Sequence, residues 1–211
     1  MIHKKPAIGI DVADTMARVK EAALASINNR FHTDIRINHL SSFNIEEHPI
    51  SQRSGITAEH VRGVLKELWR ENNAINLTDP SIPEIIRRLR KNYHVSITTA
   101  NDAKSSQLEE WLDANGIRYD MLVHVDSTRA KVGQETAHVD VFVDDSETVA
   151  EMAMLVGKRV LLIEKPWNMR FASIYRGESK MSRIIPVKGW KDISNILEDA
   201  NFIEELSKAL R

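Results

Sequence analysis

Cysteine is absent from all 211 residues. Disulfide staples, thiol nucleophiles and thiolate metal sites are therefore excluded, and nothing in the chain requires an oxidising compartment. Glycine and proline are sparse, at 8 and 6, too few for a collagen-like or low-complexity chain. No apolar run approaches the roughly 18 residues of a membrane span. The opening MIHKKPAIGID holds too few apolar residues before its first Asp for a secretory core. Charge of one sign is not in excess either: 29 Lys and Arg stand against 30 Asp and Glu, a formal net charge of −1. That balance removes the electrostatic case for wholesale nucleic-acid binding. There is no GxGxxG, no phosphate-loop lysine, and no pair of the eight His at the i, i+4 spacing of a helical metal site. At 42% hydrophobic and 28% charged, the chain is composed like an ordinary globular protein. It has the length for one sizeable core with a small insertion. A soluble, cytoplasmic protein is the expectation, with neither membrane nor nucleic acid as a partner.

Five short apolar runs rich in β-branched residues read as buried strands: Ala7 to Ile10, Val95 to Thr98, Met121 to Val125, Val139 to Val143 and Val160 to Ile163. Helical spacing separates the later ones. Leu108, Trp111 and Leu112 precede Gly116, and Val149, Met152, Ala153 and Val156 precede Gly157. Strands alternating with crossovers of this length argue for an α/β fold, a three-layer, Rossmann-like parallel sheet. From about 16 to 80 no strand is evident. Ala17 to Phe31 reads as a helix, and Thr57 opens another with the stripe Val61, Val64, Leu65, Leu68 and Trp69. A loop with Phe43, Pro49 and Gly55 lies between them. Ser81 then caps a helix with Pro83 near its start. The expected division is a core of 1–15 and 81–211 with a helical cap of 16–80.

Ligands in such sheets bind at the carboxyl ends of the strands. There the sequence places Asp11-Val12-Ala13-Asp14-Thr15, Thr98-Thr99-Ala100-Asn101, Lys131 and Asp144-Asp145-Ser146. Adjacent carboxylates at buried strand ends repel one another unless a cation joins them. Hard oxygen ligands suit Mg²⁺, which takes one or two carboxylates plus phosphate oxygens. A hydroxyl and an ammonium can hold the remaining phosphoryl oxygens during in-line displacement. The constellation suits phosphoryl transfer. Each residue also has a plainer reading: Asp11 as a helix N-cap, Thr98 or Thr99 as a cap of the next helix, Lys131 as a solvated lysine beside Arg129.

The order of these residues resembles the haloacid dehalogenase-like superfamily of phosphohydrolases over essentially the whole chain. The likeness is closest to the 5′(3′)-deoxyribonucleotidase-like group, on Ile8-Gly9-Ile10-Asp11, Ile97-Thr98-Thr99-Ala100 followed by Lys104, Val141-Phe142-Val143-Asp144-Asp145-Ser146, Pro166-Trp167-Asn168 and Trp190. The resemblance implies catalytic roles for Asp11, Thr99 and Lys131, with Asp11 as the nucleophile that forms an aspartyl phosphate. It implies Mg²⁺ held by Asp11, the Ala13 carbonyl and an Asp of the 144–145 pair, with Asp145 favoured as direct ligand and Asp144 as its support. Thr15, Ala100, Asn101 and Phe43 are assigned to the substrate. That substrate would be a small phosphate ester, a nucleoside monophosphate by the resemblance, and the protein could act as a homodimer.

One departure stands out. The superfamily's second motif aspartate, which protonates the leaving alcohol and then activates water, is here Ala13. A methyl group carries no proton, and losing general acid–base help costs about 10²- to 10⁴-fold in rate. Asp14 is one step along the chain and is expected to point elsewhere. The alternatives are a slow hydrolase, one that recruits an acid from the cap, an engineered trap, a phosphate-binding regulatory module, or a phosphatase of another metabolite. Phosphonoacetaldehyde hydrolases of the superfamily also carry alanine here and use a cap lysine as a Schiff base; Lys20 and Lys66 lie in the cap, outside any recognised motif of that kind. Among the aromatics, Trp69 reads as core and Phe43, in the loop, as the better base contact.

Overall fold

A computed structural model describes residues 5–71, 75–101, 103–177 and 182–209. Six strands form one sheet: β1 (Ala7–Ile10), β2 (His94–Thr99), β3 (Met121–His124), β4 (Val141–Asp144), β5 (Arg159–Ile163) and β6 (Ile184–Val187). Their order is β3-β2-β1-β4-β5-β6, and every neighbouring pair is parallel. The order reverses between β1 and β4, so a crevice opens at their carboxyl ends. Asp11 follows β1 there and Asp144 closes β4.

Alternation along the strands makes the three layers. On β4 and β5, Val141, Val143, Leu161 and Ile163 belong to one apolar cluster, while Phe142, Val160 and Leu162 belong to another. The smaller cluster is closed by α6 (Glu147–Leu155) and α7 (Met169–Tyr175). The larger takes in α4 (Ile82–Leu89), α5 (Ser105–Ala114), α8 (Trp190–Leu197) and α9 (Ala200–Ala209). Sheet strands buried on both sides explain why the runs read as continuous apolar stretches. Gly9 sits where β1 is crowded: a Cβ would stand 3.1 Å from both Thr98 and Val139 side chains.

Two local readings change. The sixth strand is Ile184-Ile185-Pro186-Val187, at the sheet edge, where Pro186 lacks an N–H that an inner strand would need. Ser81 begins α4 without capping it. It is itself held by Asp79, whose Oδ1 accepts from the Ser81 N–H at 2.8 Å and hydroxyl at 2.6 Å.

Between β1 and α4 lie α1 (Val19–Phe31), α2 (Pro49–Arg53) and α3 (Ala58–Arg70). The loop expected around Phe43 to Gly55 is thus partly helical, with 3₁₀ turns at Ile37–His39 and Ile45–Glu47. Thr57 caps α3 through a reciprocal box with His60. The chain leaves and returns side by side: Arg18 N donates to Asn76 O and Thr78 N to Met16 O, both at 2.8 Å. Trp69 of α3 meets Trp111 of α5 edge-on at 6.0 Å, and Trp111 Nε1 donates to Ile75 O at 2.9 Å. The inserted helices therefore share the core of the sheet.

Candidate active site

Lys131, Asp11 and Asp144 are brought together at the switch in strand order. Lys131 Nζ donates to Asp11 Oδ1 at 2.6 Å and to Asp144 Oδ2 at 3.1 Å, all three side chains being buried. Asp11, Asp144 and Asp145 each offer a carboxylate oxygen within 4.8 Å of the others. Burial pushes the Asp11 carboxyl well above its usual range, against the pull of Lys131 and with the push of Asp144 and Asp145. Burial also raises Asp145, to about 6, opposed by the Lys20 charge. Lys131 is lowered by burial and raised more by Asp11 and Asp144, so it is held as an ammonium.

The two neighbours in the acidic pair differ. Asp144 uses both oxygens inside the protein, Oδ2 for Lys131 and Oδ1 for the Ser146 N–H at 2.8 Å. Asp145 accepts through Oδ2, from Trp167 Nε1 at 3.0 Å. Its Oδ1 has no hydrogen bond among the described residues. Asn168 Nδ2 donates to the Asp145 carbonyl and to Ile163 O, both at 2.8 Å, which ties the segment after β5 to this corner.

These side chains open into a cavity of about 270 Å³ lined by Asp11, Ala13, Asp14, Lys20, Phe43, Thr99, Ala100, Asn101, Lys131 and Asp145, with Val61, Leu65 and Trp69 of α3 on its other wall. A second cavity, of about 660 Å³, shares Phe43, Asn44, Thr128 and Ser146 with it. Thr99 Oγ1 and Asn101 Nδ2, of residues that line this cavity, are buried and have no partner among the described residues. Buried donors left unmade cost about 1–3 kcal/mol each, so such groups point to something they bind. Neither Thr98 nor Thr99 caps α5, whose N-cap is Lys104. The Thr15 hydroxyl is also buried and without a partner among the described residues, but Thr15 is not among the cavity-lining residues. Its carbonyl is held by Trp190 Nε1 at 3.0 Å and by the Thr78 hydroxyl at 2.7 Å.

Phe43 is 44% exposed and stands edge-on to Trp167 at 6.4 Å. Trp69 is core and cavity wall at once. Two residues named in the sequence reading, Lys20 and Trp167, were given no site role there. Lys20 is buried in the wall, paired to Asp14, whereas Lys66 is exposed on α3. Trp167 orients Asp145. A lysine in the first turn of an Ala-rich helix gives no signal of burial, and the Trp167 contact spans 22 residues.

Formally, Asp11, Asp14, Asp144 and Asp145 carry four negative charges against two positive ones on Lys20 and Lys131, all buried. A divalent cation on the acidic trio would balance them, so the donor set fits a hard metal.

No protein-family model matches the sequence, and neither does any curated protein. Solved structures do match in fold. One is a haloacid dehalogenase-like family hydrolase from Streptococcus pneumoniae, with TM-score 0.62 and 14% identity over 92% of this chain and 99% of that one. Another is a predicted phosphoglycolate phosphatase from Haemophilus somnus, with TM-score 0.61 and 16% identity over 93% and 99%. A third is YfnB of Bacillus subtilis, assigned as a HAD-hydrolase and bound to magnesium, with TM-score 0.54 and 14% identity over 93% and 100%. The fold is therefore that of the haloacid dehalogenase-like hydrolases.

Proposed function

We propose that the protein is a Mg²⁺-dependent phosphohydrolase of 5′-nucleotidase type, acting on nucleoside monophosphates through an aspartyl phosphate at Asp11. The observation that carries this reading is the Lys131 ammonium shared by Asp11 and Asp144 inside a carboxylate trio, beside the unpartnered Thr99 and Asn101. Asp11, Asp145 and the Ala13 carbonyl would hold Mg²⁺, which when bound neutralises phosphoryl charge. Lys131 and Thr99 would hold phosphoryl oxygens. Lys131 already keeps Asp11 Oδ1 occupied, which leaves Oδ2 for attack on phosphorus. Asp144, with both oxygens used, would orient Lys131.

Residues 16–80 serve as the cap in this reading, since α3 forms the wall opposite the strand ends. Phe43 stands between the two cavities and offers a ring to a nucleobase. Ala13 favours a second reading, a module that binds a phosphate ester and barely turns it over. Schiff-base chemistry at Lys20 is disfavoured, because Lys20 lies outside any recognised lysine motif of that kind.

Phosphate release from a panel of nucleotides and other phosphorylated metabolites, with and without Mg²⁺, tests the proposal. Asp11→Asn is expected to abolish turnover, and Ala13→Asp to raise it. Background activity in Ala13→Asp across the whole panel would rule the phosphatase out. Calorimetric binding without release would establish the module instead.

A further inference from the structure

The chemistry proposed above needs a group that gives a proton to the leaving alcohol and later takes one from water, and position 13 offers a methyl. Any substitute for the missing carboxyl rests on that phosphohydrolase reading. Lining the same cavity as Ala13 is Lys20, 7% exposed. Its Nζ is 2.9 Å from Asp14 Oδ2, 3.6 Å from the Phe43 ring centroid and 4.2 Å from that of Trp167. Asp14 Oδ1 also accepts the Lys20 backbone N–H at 2.8 Å, so one carboxylate fixes both ends of the residue. Asp14 does so from a left-handed backbone, φ 57°, which side chains other than Gly rarely adopt. Strain of that kind persists where the surroundings over-determine it, and it gathers at functional sites.

Both oxygens of Asp14 are thus spent on Lys20, which leaves Asp14 as a positioning residue. The ammonium spends one of its three N–H donors on Asp14 and rests on two aromatic faces, with no other hydrogen bond among the described residues. Trp167, one of those rings, donates to Asp145 at the carboxylate trio. A buried ammonium with donors to spare therefore faces the same cavity as Asp11.

We propose that Lys20 is the acid and the base of this site. As Asp11 Oδ2 bonds to phosphorus, the ester P–O bond breaks with its electron pair on the ester oxygen. That oxygen takes a proton from Lys20 Nζ and leaves as the alcohol. Water then attacks phosphorus, the P–O bond to Asp11 breaks with its pair returning to the carboxylate, and the water's proton goes to the Lys20 amine. One ester and one water become one alcohol and one phosphate, and Lys20 ends as it began.

The test is the rate at which Asp11 is phosphorylated, followed by rapid quenching and intact-protein mass with Mg²⁺ present. The parent protein, Lys20→Met and Lys20→Arg are compared on an alkyl phosphate and on p-nitrophenyl phosphate, whose phenolate leaves without a proton. Both variants are expected to lose about 10²- to 10⁴-fold on the alkyl ester and far less on the aryl ester. Arginine keeps the charge, the Asp14 pair and the aromatic contacts but does not give up its proton. Equal losses on both esters, or alkyl-ester activity preserved in Lys20→Arg, would overturn the acid–base role alone. A parent protein that forms no phosphoenzyme from either ester would remove the phosphatase reading and this role together.

Discussion

Which of two neighbouring carboxylates meets a cation is decided by the hydrogen bonds each has already made. Asp144 has spent both oxygens, while Asp145 is gripped through Oδ2 and through its carbonyl, by Trp167 and Asn168. Outer contacts of this kind typically contribute 10- to 100-fold in metal affinity. Trp167→Phe keeps a ring beside Lys20 and deletes only the indole donor. It is expected to weaken Mg²⁺ binding by about tenfold or more in calorimetry while the thermal transition stays cooperative. An unchanged affinity would mean that Trp167 serves packing alone. The acidic residues themselves were legible in the sequence, because carboxylates directly after apolar runs stand at strand ends. Lys20 was not: its burial depends on Phe43 and Trp167, which approach from distant parts of the chain.

At the level of elements, alternation of apolar runs with helical spacing gave five of the six strands and the parallel arrangement. The sixth was hidden by Pro186, which argues against a strand wherever an N–H must be donated and is harmless only at an edge. The segment from Lys131 to Val139 shows how an irregular stretch can hold a charged side chain in place. Lys158, at the start of the β5 approach, donates Nζ to Thr136 O and Ala137 O at 2.9 Å and to Val139 O at 2.6 Å. The Thr136 hydroxyl in turn donates to Lys131 O. Lys158→Met removes a donor from three carbonyls, two of them in part-buried bonds. Since water can replace part of what is lost, a destabilisation of about 1–2 kcal/mol is expected in denaturant titration. Turnover of the phosphate ester should fall as well, because the loop carries Lys131. Loss of stability with undiminished turnover would uncouple the clamp from the site.

For the whole molecule, the buried site makes stability depend on pH, and under the proposed function on metal as well. Asp145 titrates near 6 in the folded protein against about 3.9 in an unfolded chain, and Asp11 is raised in the same direction by burial. Between those values the folded state binds more protons than the unfolded one, so unfolding free energy falls as pH rises from about 4 through 6. Lys131 is raised and contributes stability that is complete below its unfolded value near 10.4, so it does not tilt this window. A cation that took the place of the proton on Asp145 would reverse the loss: Mg²⁺ would compete with that proton at pH 5 and meet a bare Asp145 carboxylate at pH 7.5. At a hundred times its Kd, Mg²⁺ should add about 2.7 kcal/mol, or roughly 5–10 °C for a chain of this length. Thermal melts with and without Mg²⁺ are expected to show that gain at pH 7.5, a much smaller one at pH 5, and little at either pH in Asp145→Asn. An equal Mg²⁺ shift at both pH values, or one that survives Asp145→Asn, would place the ion somewhere other than the acidic trio.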